Sequence, residues 1–302
     1  MHAPLPASII GPDERPERTS MTTAQAQRTT DSYALARSPQ EYERLRIQSR
    51  AWEAATSRLL DQVALTTGAR CLDAGCGPGE TMRLMAQRVG PEGRVTGIDV
   101  DAPLGAQAEA MLHDAGHSQC GFAALDLSAE HPIPGAPCDL VYARLLIIHL
   151  SDRVAALRRL WDAVAPGGHL LIQDYDLRSL AVLPGLDSVD ELIRVVVAGL
   201  SAAGCDVHTG TRLPELFAQA GIGIPDGTDV SGRLEPLAQA QRVMTSAYAS
   251  VLPAAIAHGV TTEPRATDTL SRVARDVERF PDRSALWPLL VGAWKCKRGG
   301  LG

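Results

Sequence analysis

Twelve residues constrain this chain more than any others: Arg70-Cys71-Leu72-Asp73-Ala74-Gly75-Cys76-Gly77-Pro78-Gly79-Glu80-Thr81. A short apolar run ends in an acid, three glycines alternate with other residues, and an amphipathic stretch to Val89 follows at once. That order reads as a buried strand, a tight turn and a helix N-terminus, the layout that seats a nucleotide-like ligand at the edge of a parallel sheet. Glycine permits positive φ in the turn and lets the backbone approach a ligand closely. A dinucleotide fingerprint would need glycine where Glu80 stands, so the pattern is Asp-x-Gly-x-Gly-x-Gly instead. An acid ahead of the turn suits a ligand carrying an ammonium group and would repel a pyrophosphate.

Further motifs follow at matching spacing. Val95-Thr96-Gly97-Ile98-Asp99 is a second buried strand ending in an acid, 20 residues after Gly79, where a carboxylate reaches ribose hydroxyls. Phe122-Ala123-Ala124-Leu125-Asp126-Leu127 puts another acid after a third strand, Cys138–Tyr142 is a fourth, and Ala165-Pro166-Gly167-Gly168 turns into a fifth, His169–Gln173. Strands alternating with helical patterns predict a parallel sheet with helices on both faces.

These motifs, spread over residues 70 to 176, resemble the class I S-adenosylmethionine (SAM) methyltransferases, particularly bacterial small-molecule enzymes of the ubiquinone/menaquinone and natural-product type. The resemblance implies a Rossmann-like α/β fold with a seven-stranded, mostly parallel sheet. It implies SAM as cofactor, with the amides of Cys76, Gly77 and Gly79 on the methionine carboxylate and Asp73 facing the ammonium. Asp99 takes the ribose, Asp126 and Leu127 the adenine, and Gly75, Val100 and Ala143 complete the cofactor set. On the acceptor side it points to His149 and Asp174 as a base and its orienting acid, with Tyr33, Arg144 and Tyr175 lining the substrate. His149 equally reads as a histidine bonded to backbone at a helix start, and Asp101 equally as a helix cap.

The order of the remaining segments predicts five regions. Residues 1–30, rich in Pro, Ala, Thr and charge, read as a disordered tail, and Met21 as an alternative start. Residues 31–66 form an N-terminal helical lid, its first helix opened by Ser38 as N-cap, Pro39 and Glu41 as a capping box. Residues 67–233 are the SAM-binding core, with Ser151 capping a helix, helices over Val189–Leu200 and Thr211–Ala220, and a sixth strand at Gly227–Gly232. Residues 234–280 are longer than a connection needs and read as a helical cap over the acceptor. Residues 281–302 carry the final strand, Leu286–Lys295, and a tail.

Composition excludes several alternatives. With a net charge of −6 the chain lacks the basic footprint of a nucleic-acid binder. No apolar run reaches membrane-spanning length and no signal-peptide order opens the chain, so a cytoplasmic protein is expected. Six scattered cysteines suit buried thiols better than a disulfide framework. His113, His117 and Cys120 fall short of a metal-ligand pattern, so no metal is expected. The absence of Asn/Asp-Pro-Pro-Tyr/Phe after the fourth strand disfavours methylation of nucleic-acid bases, and the absence of a glutamate pair there disfavours protein arginine methylation. The expected partner is therefore a small-molecule, secondary-metabolite-like acceptor methylated at O, N or C, with a homodimer allowed. A SAM-fold enzyme in which carbon methylation triggers cyclisation or rearrangement, and a non-catalytic SAM-binding module, are the alternatives.

Overall fold

The computed structural model describes residues 39–299. In chain order the elements are α1 (Pro39–Ala51), α2 (Glu53–Gln62), β1 (Arg70–Ala74), α3 (Glu80–Val89), β2 (Arg94–Asp99), α4 (Ala102–Asp114), β3 (Cys120–Ala124) and β4 (Cys138–Arg144). A 3₁₀ turn at Ile147–His149 leads to α5 (Arg153–Asp162) and β5 (Val164–Asp176). After a second 3₁₀ turn at Leu177–Ser179 come β6 (Ala181–Leu183), α6 (Asp187–Ala202), α7 (Thr209–Gln219), β7 (Gly227–Ser231), β8 (Leu234–Pro236), α8 (Leu237–Ala257), α9 (Glu263–Arg279), β9 (Ser284–Leu286) and β10 (Leu289–Cys296). The tail over residues 1–30, the Ser38 cap, Met21 and Tyr33 lie outside the described residues.

The main sheet has seven strands in the order β3-β2-β1-β4-β5-β10-β7. The first five pair in parallel, and β10 runs antiparallel to both β5 and β7. The strand order reverses beside β1, which opens a crevice beyond the carboxyl ends of β1 and β4 where ligands of such sheets collect.

Side-chain alternation decides what reaches that crevice, because neighbours along a strand point to opposite faces. Leu72 and Ala74, Val141 and Ala143, and Leu170 and Ile172 join a core with Leu157, Leu160, Leu213 and Phe217 of α5 and α7. On the opposite face Cys71, Leu140, Tyr142 and Leu171 pack against Leu59 and Leu60 of α2 and Met82 and Met85 of α3. Asp73, Arg144, Gln173 and Tyr175 continue this second row and become polar as the strands reach the crevice. Asp174 has the other parity.

The sequence expectations need local revision. The predicted fifth strand grows to 13 residues, and the predicted last strand divides at Trp287. Its first part, β9, leaves the main sheet and joins β6 and β8 in a three-stranded sheet. The helix before β5 is capped by Asp152, whose carboxylate accepts the Ala155 amide at 2.8 Å, and not by Ser151. Glu41 spends its carboxylate on Arg44 within α1 (2.6 Å) and on the Ser250 hydroxyl, so a hydrogen bond to a buried charge ties α1 to α8. Residues 234–280 do not pack as a unit of their own: Val189, Leu192 and Val195 of α6 share one core with Tyr248 and Val251 of α8 and Val273 of α9, and β6 pairs with β9.

Candidate active site

The glycine loop is shaped by its neighbours. Gly79 has φ +79°, and a Cβ there would come within 3.0 Å of Ala108 on α4. Gly75 has φ +69°, and its Cβ would meet Leu146 at 3.0 Å, so the loop can lie close under the β4 connection only as glycine. The amides of Gly75 and Cys76 donate to the Ile98 carbonyl at 2.8 and 3.1 Å, Gly77 to the Asp99 carboxylate at 2.9 Å and Gly79 to the Cys76 carbonyl at 3.0 Å. The amides of Cys76, Gly77 and Gly79, expected on a ligand carboxylate, are thus bonded within the loop and to β2 and the Asp99 carboxylate. A turn this tight satisfies its donors internally and offers a ligand its contour and the start of α3.

Asp99, at the end of β2, accepts from Gly77 with one oxygen and from the Asp101 amide with the other, both at 2.9 Å. Asp101 is the cap of α4, accepting the Leu104 amide at 3.0 Å and the Tyr42 hydroxyl at 2.8 Å. Val100 beside it exposes 42% of its surface as an apolar ledge. Beyond β3, Asp126 folds its loop by accepting the amide and hydroxyl of Ser128 at 2.8 and 2.6 Å, and Leu127 is buried. Arg159 of α5 pins the same loop through the carbonyls of Leu127, Ala129 and His131, a role that only the tertiary arrangement reveals. His113 bonds the Cys120 carbonyl at 2.7 Å.

At the centre lies Asp73. Its side chain is buried, its Oδ2 has no hydrogen-bond partner, and burial raises its pKa to about 7 against the opposing pull of Arg144. Arg144, half-buried at the end of β4, donates to the hydroxyls of Thr56 at 2.9 Å and Ser49 at 2.9 Å. Thr56 and Tyr142 in turn donate to the Gln173 carbonyl at 2.9 and 2.5 Å, which builds one polar row under α1 and α2.

A family model described as a methyltransferase domain matches residues 71–168. Trans-aconitate 2-methyltransferase of Paracidovorax citrulli is 32% identical over 206 residues, spanning 61% of this chain and 77% of that protein. Its namesake in Methylobacterium nodulans is 30% identical over 217 residues, spanning 64% and 81%. The chain belongs to the class I SAM-dependent methyltransferases. The YcgJ protein of Bacillus subtilis shares the fold, with a TM-score of 0.52 at 17% identity, covering 82% of this chain and 100% of that one.

SAM is the cofactor of this methyltransferase, and the residues present fit it. A buried carboxylate with an unpartnered oxygen is costly alone and is satisfied by an ammonium, as the methionine end of SAM carries. Asp99 ends β2, and Val100 beside it is exposed. Ala143 is buried in the sheet near the end of β4.

The expected His149–Asp174 pair does not form. Asp174 is fully buried with its two oxygens on the amides of Ile148 (2.9 Å) and Tyr175 (2.8 Å), so it caps the 3₁₀ turn. Strand parity is the reason: Asp174 leaves β5 on the face opposite Gln173 and Tyr175. Burial raises its pKa to about 7 despite these amides. His149 places Nδ1 3.5 Å from the Cys205 sulfur, and burial, with Arg44 and Arg153 nearby, lowers its pKa to about 4. It is a neutral interior imidazole. An open cleft of about 300 Å³ between the second 3₁₀ turn and α6 offers little for an anion, since Arg178 is paired with Asp176 and Arg194 with Glu191.

Proposed function

We propose that this methyltransferase transfers its methyl group to a carboxylate oxygen of a small organic acid, with Arg144 as the acceptor's anchor. The observation that carries the reading is the state of Arg144. Its guanidinium stands at the crevice end of β4, held by two neutral hydroxyls, while arginines elsewhere in the chain, such as Arg44, Arg178 and Arg194, are matched to acids. Two of its five N–H groups are spoken for, and the rest can meet a carboxylate. Relatives named for trans-aconitate, a small tricarboxylic acid, support the same class of acceptor.

SAM supplies an electrophilic methyl group on a sulfonium. Asp73 binds the amino-acid end and Asp99 the ribose, which fixes the cofactor along the crevice. Arg144 turns the acceptor so that one carboxylate oxygen is free to attack in line, and α1, α2 and the α6–α8–α9 layer keep water from both. A carboxylic acid with an ordinary pKa near 4 is already ionised at neutral pH, so no base is required. Attack forms a C–O bond, breaks the C–S bond and leaves the electron pair on sulfur, cancelling one negative against one positive charge. Positioning and exclusion of water then carry the rate enhancement.

The test is incubation of the enzyme with methyl-labelled SAM and a panel of trans-aconitate, citrate, succinate and benzoate. Transfer to a carboxylate gives label that base releases as methanol, whereas ether, N-methyl and C-methyl products keep it. Base-stable label would refute the reading. Arg144→Gln should raise the acceptor KM by ~10- to 100-fold, the range for a hydrogen bond to a charged group, with the Kd for SAM within about threefold. The reverse pattern would assign Arg144 to the methionine carboxylate instead.

A further inference from the structure

Tyr175 carries a hydroxyl whose hydrogen bonds can be counted. Trp52 Nε1, which can only donate, lies 2.6 Å from its oxygen. The Gln48 amide lies 2.9 Å away on the other side. Its orientation is set by Arg44, whose Nη1 donates to Gln48 Oε1 at 3.1 Å, because an arginine cannot accept. Gln48 must therefore present its NH₂ to Tyr175. The phenolic oxygen accepts twice, both acceptor positions are filled, and its own proton has no acceptor among the described residues. The ring is held as firmly as the oxygen: Trp52 packs edge-on at 6.1 Å and 63°, with Trp287 against the other side of Trp52 at 5.9 Å.

The placement of this donor matters. Arg144 is paired in register with Gln173, and Tyr175 lies two residues further along β5 on the same face. It therefore stands next outward from Arg144 toward the crevice, where α1 and α2 meet the α6–α8–α9 layer. A buried O–H directed by two incoming donors is a fixed, one-way hydrogen-bond source, which is what an oxygen-rich acceptor needs and an apolar one would leave unpaired.

We infer that Tyr175 is a substrate-positioning residue that donates its phenolic proton to an oxygen of the acceptor, working with Arg144 to select carboxylates over apolar metabolites. This rests on the carboxylate reading above. Gln48 and Trp52 are the supports that keep the proton aimed, and through Gln48 and Arg44 the donor is tied to Glu41 and Ser250, hence to the seating of α1 on α8.

The experiment compares wild-type enzyme, Tyr175→Phe and Trp52→Phe for SAM affinity, kcat and acceptor KM, using whichever acid of the panel gives base-labile label. Tyr175→Phe should raise that KM by ~10-fold or more while the Kd for SAM stays within about threefold. Trp52→Phe removes one of the two donors that aim the hydroxyl but keeps its proton, so its rise in KM should be clearly smaller than that of Tyr175→Phe. Equal rises in both variants, or no rise with Tyr175→Phe, would overturn the inference and leave the carboxylate reading standing. Failure of every acid to accept label from wild-type enzyme would overturn both. Should Tyr175→Phe not fold, 3-fluorotyrosine at position 175 gives a second readout in the S-adenosylhomocysteine complex. Its fluorine resonance should shift on addition of an accepted acid, and an unmoved resonance with acid bound overturns the assignment.

Discussion

Asp73 turns a buried charge into a measurable link between pH, stability and cofactor binding. Its ordinary value of 3.8 is raised to about 7 by burial, and its Oδ2 is unpartnered. An ammonium ligand binds the ionised form, so the apparent Kd carries a factor of 1 + 10^(pKa − pH), which makes S-adenosylhomocysteine about eightfold weaker at pH 6 than at pH 7.5. Stability runs the other way. The folded pKa lies above the unfolded one, so the native state holds the extra proton between roughly pH 4 and pH 7, and this contribution is lost as pH rises through that window. Three units correspond to roughly 4 kcal/mol as an upper bound, since about 1.4 kcal/mol accompanies each unit. Asp73→Asn removes the ionisation while keeping the shape. The ligand-free variant should unfold at higher denaturant than wild type at pH 8, by up to a few kcal/mol, roughly the linkage bound. It should bind S-adenosylhomocysteine ~10- to 100-fold more weakly there, and show no pH dependence of Kd from pH 6 to 7.5. Calorimetric titration and urea melts at both pH values suffice. A wild-type Kd flat over that range, or a variant less stable than wild type at pH 8, would refute the argument.

Three further outcomes follow from the hydrogen bonds of the crevice. Asp99→Ala should weaken SAM by ~10- to 100-fold, because it removes the ribose acceptor and frees the Gly77 and Asp101 amides; an unchanged Kd by calorimetry would remove Asp99 from the cofactor site. Asp174→Ala strands two buried amides, at Ile148 and Tyr175, and should cost ~2–5 kcal/mol in a denaturant melt while kcat of the folded fraction falls less than tenfold. His149→Gln should likewise keep kcat within about tenfold, and the wild-type kcat at saturating substrates should be flat from pH 6 to 9, since an imidazole with pKa about 4 does not titrate there. A loss of ~10²-fold or more would restore His149 as a base.

Much of the fold is local in origin, and that part is legible. Each of β1, β2 and β4 is an apolar run closed by a charged residue, and the turn after β1 carries glycines whose positive φ no other residue adopts without strain. The Asp101 cap depends on a contact three residues away, which a sequence displays. The length of β5, the departure of β9 into a second sheet and the grip of Arg159 on the β3 loop depend on partners far along the chain. The role of Asp174 is the instructive case. Its position at the end of β5 suggests a crevice residue, yet the alternation of β5 already separates it from Gln173 and Tyr175. What no local pattern discloses is that the amide of Ile148, 26 residues earlier, comes back to meet it.

The electrostatics of the crevice bear on the chemistry in a similar way. A methyltransferase acting on an alcohol would need a titratable group close to the acceptor to take its proton. Here the two groups best suited by type are withdrawn: Asp174 is consumed by backbone amides, and His149 is neutral beside Cys205. The charges that remain at the carboxyl ends of β1 and β4 are an acid held near neutrality by burial and an arginine braced by hydroxyls. Such a pair suits two ligands of complementary charge, one presenting an ammonium and the other a carboxylate. With SAM bound, Asp73 is matched by the ammonium, and its attraction for Arg144 is offset. Binding of the acceptor anion then becomes more favourable after the cofactor than before it, because Arg144 is released from an interaction that opposes it. An ordered mechanism with SAM first is therefore expected from charge alone. The acceptor's own affinity, measured with and without S-adenosylhomocysteine, reports that coupling directly.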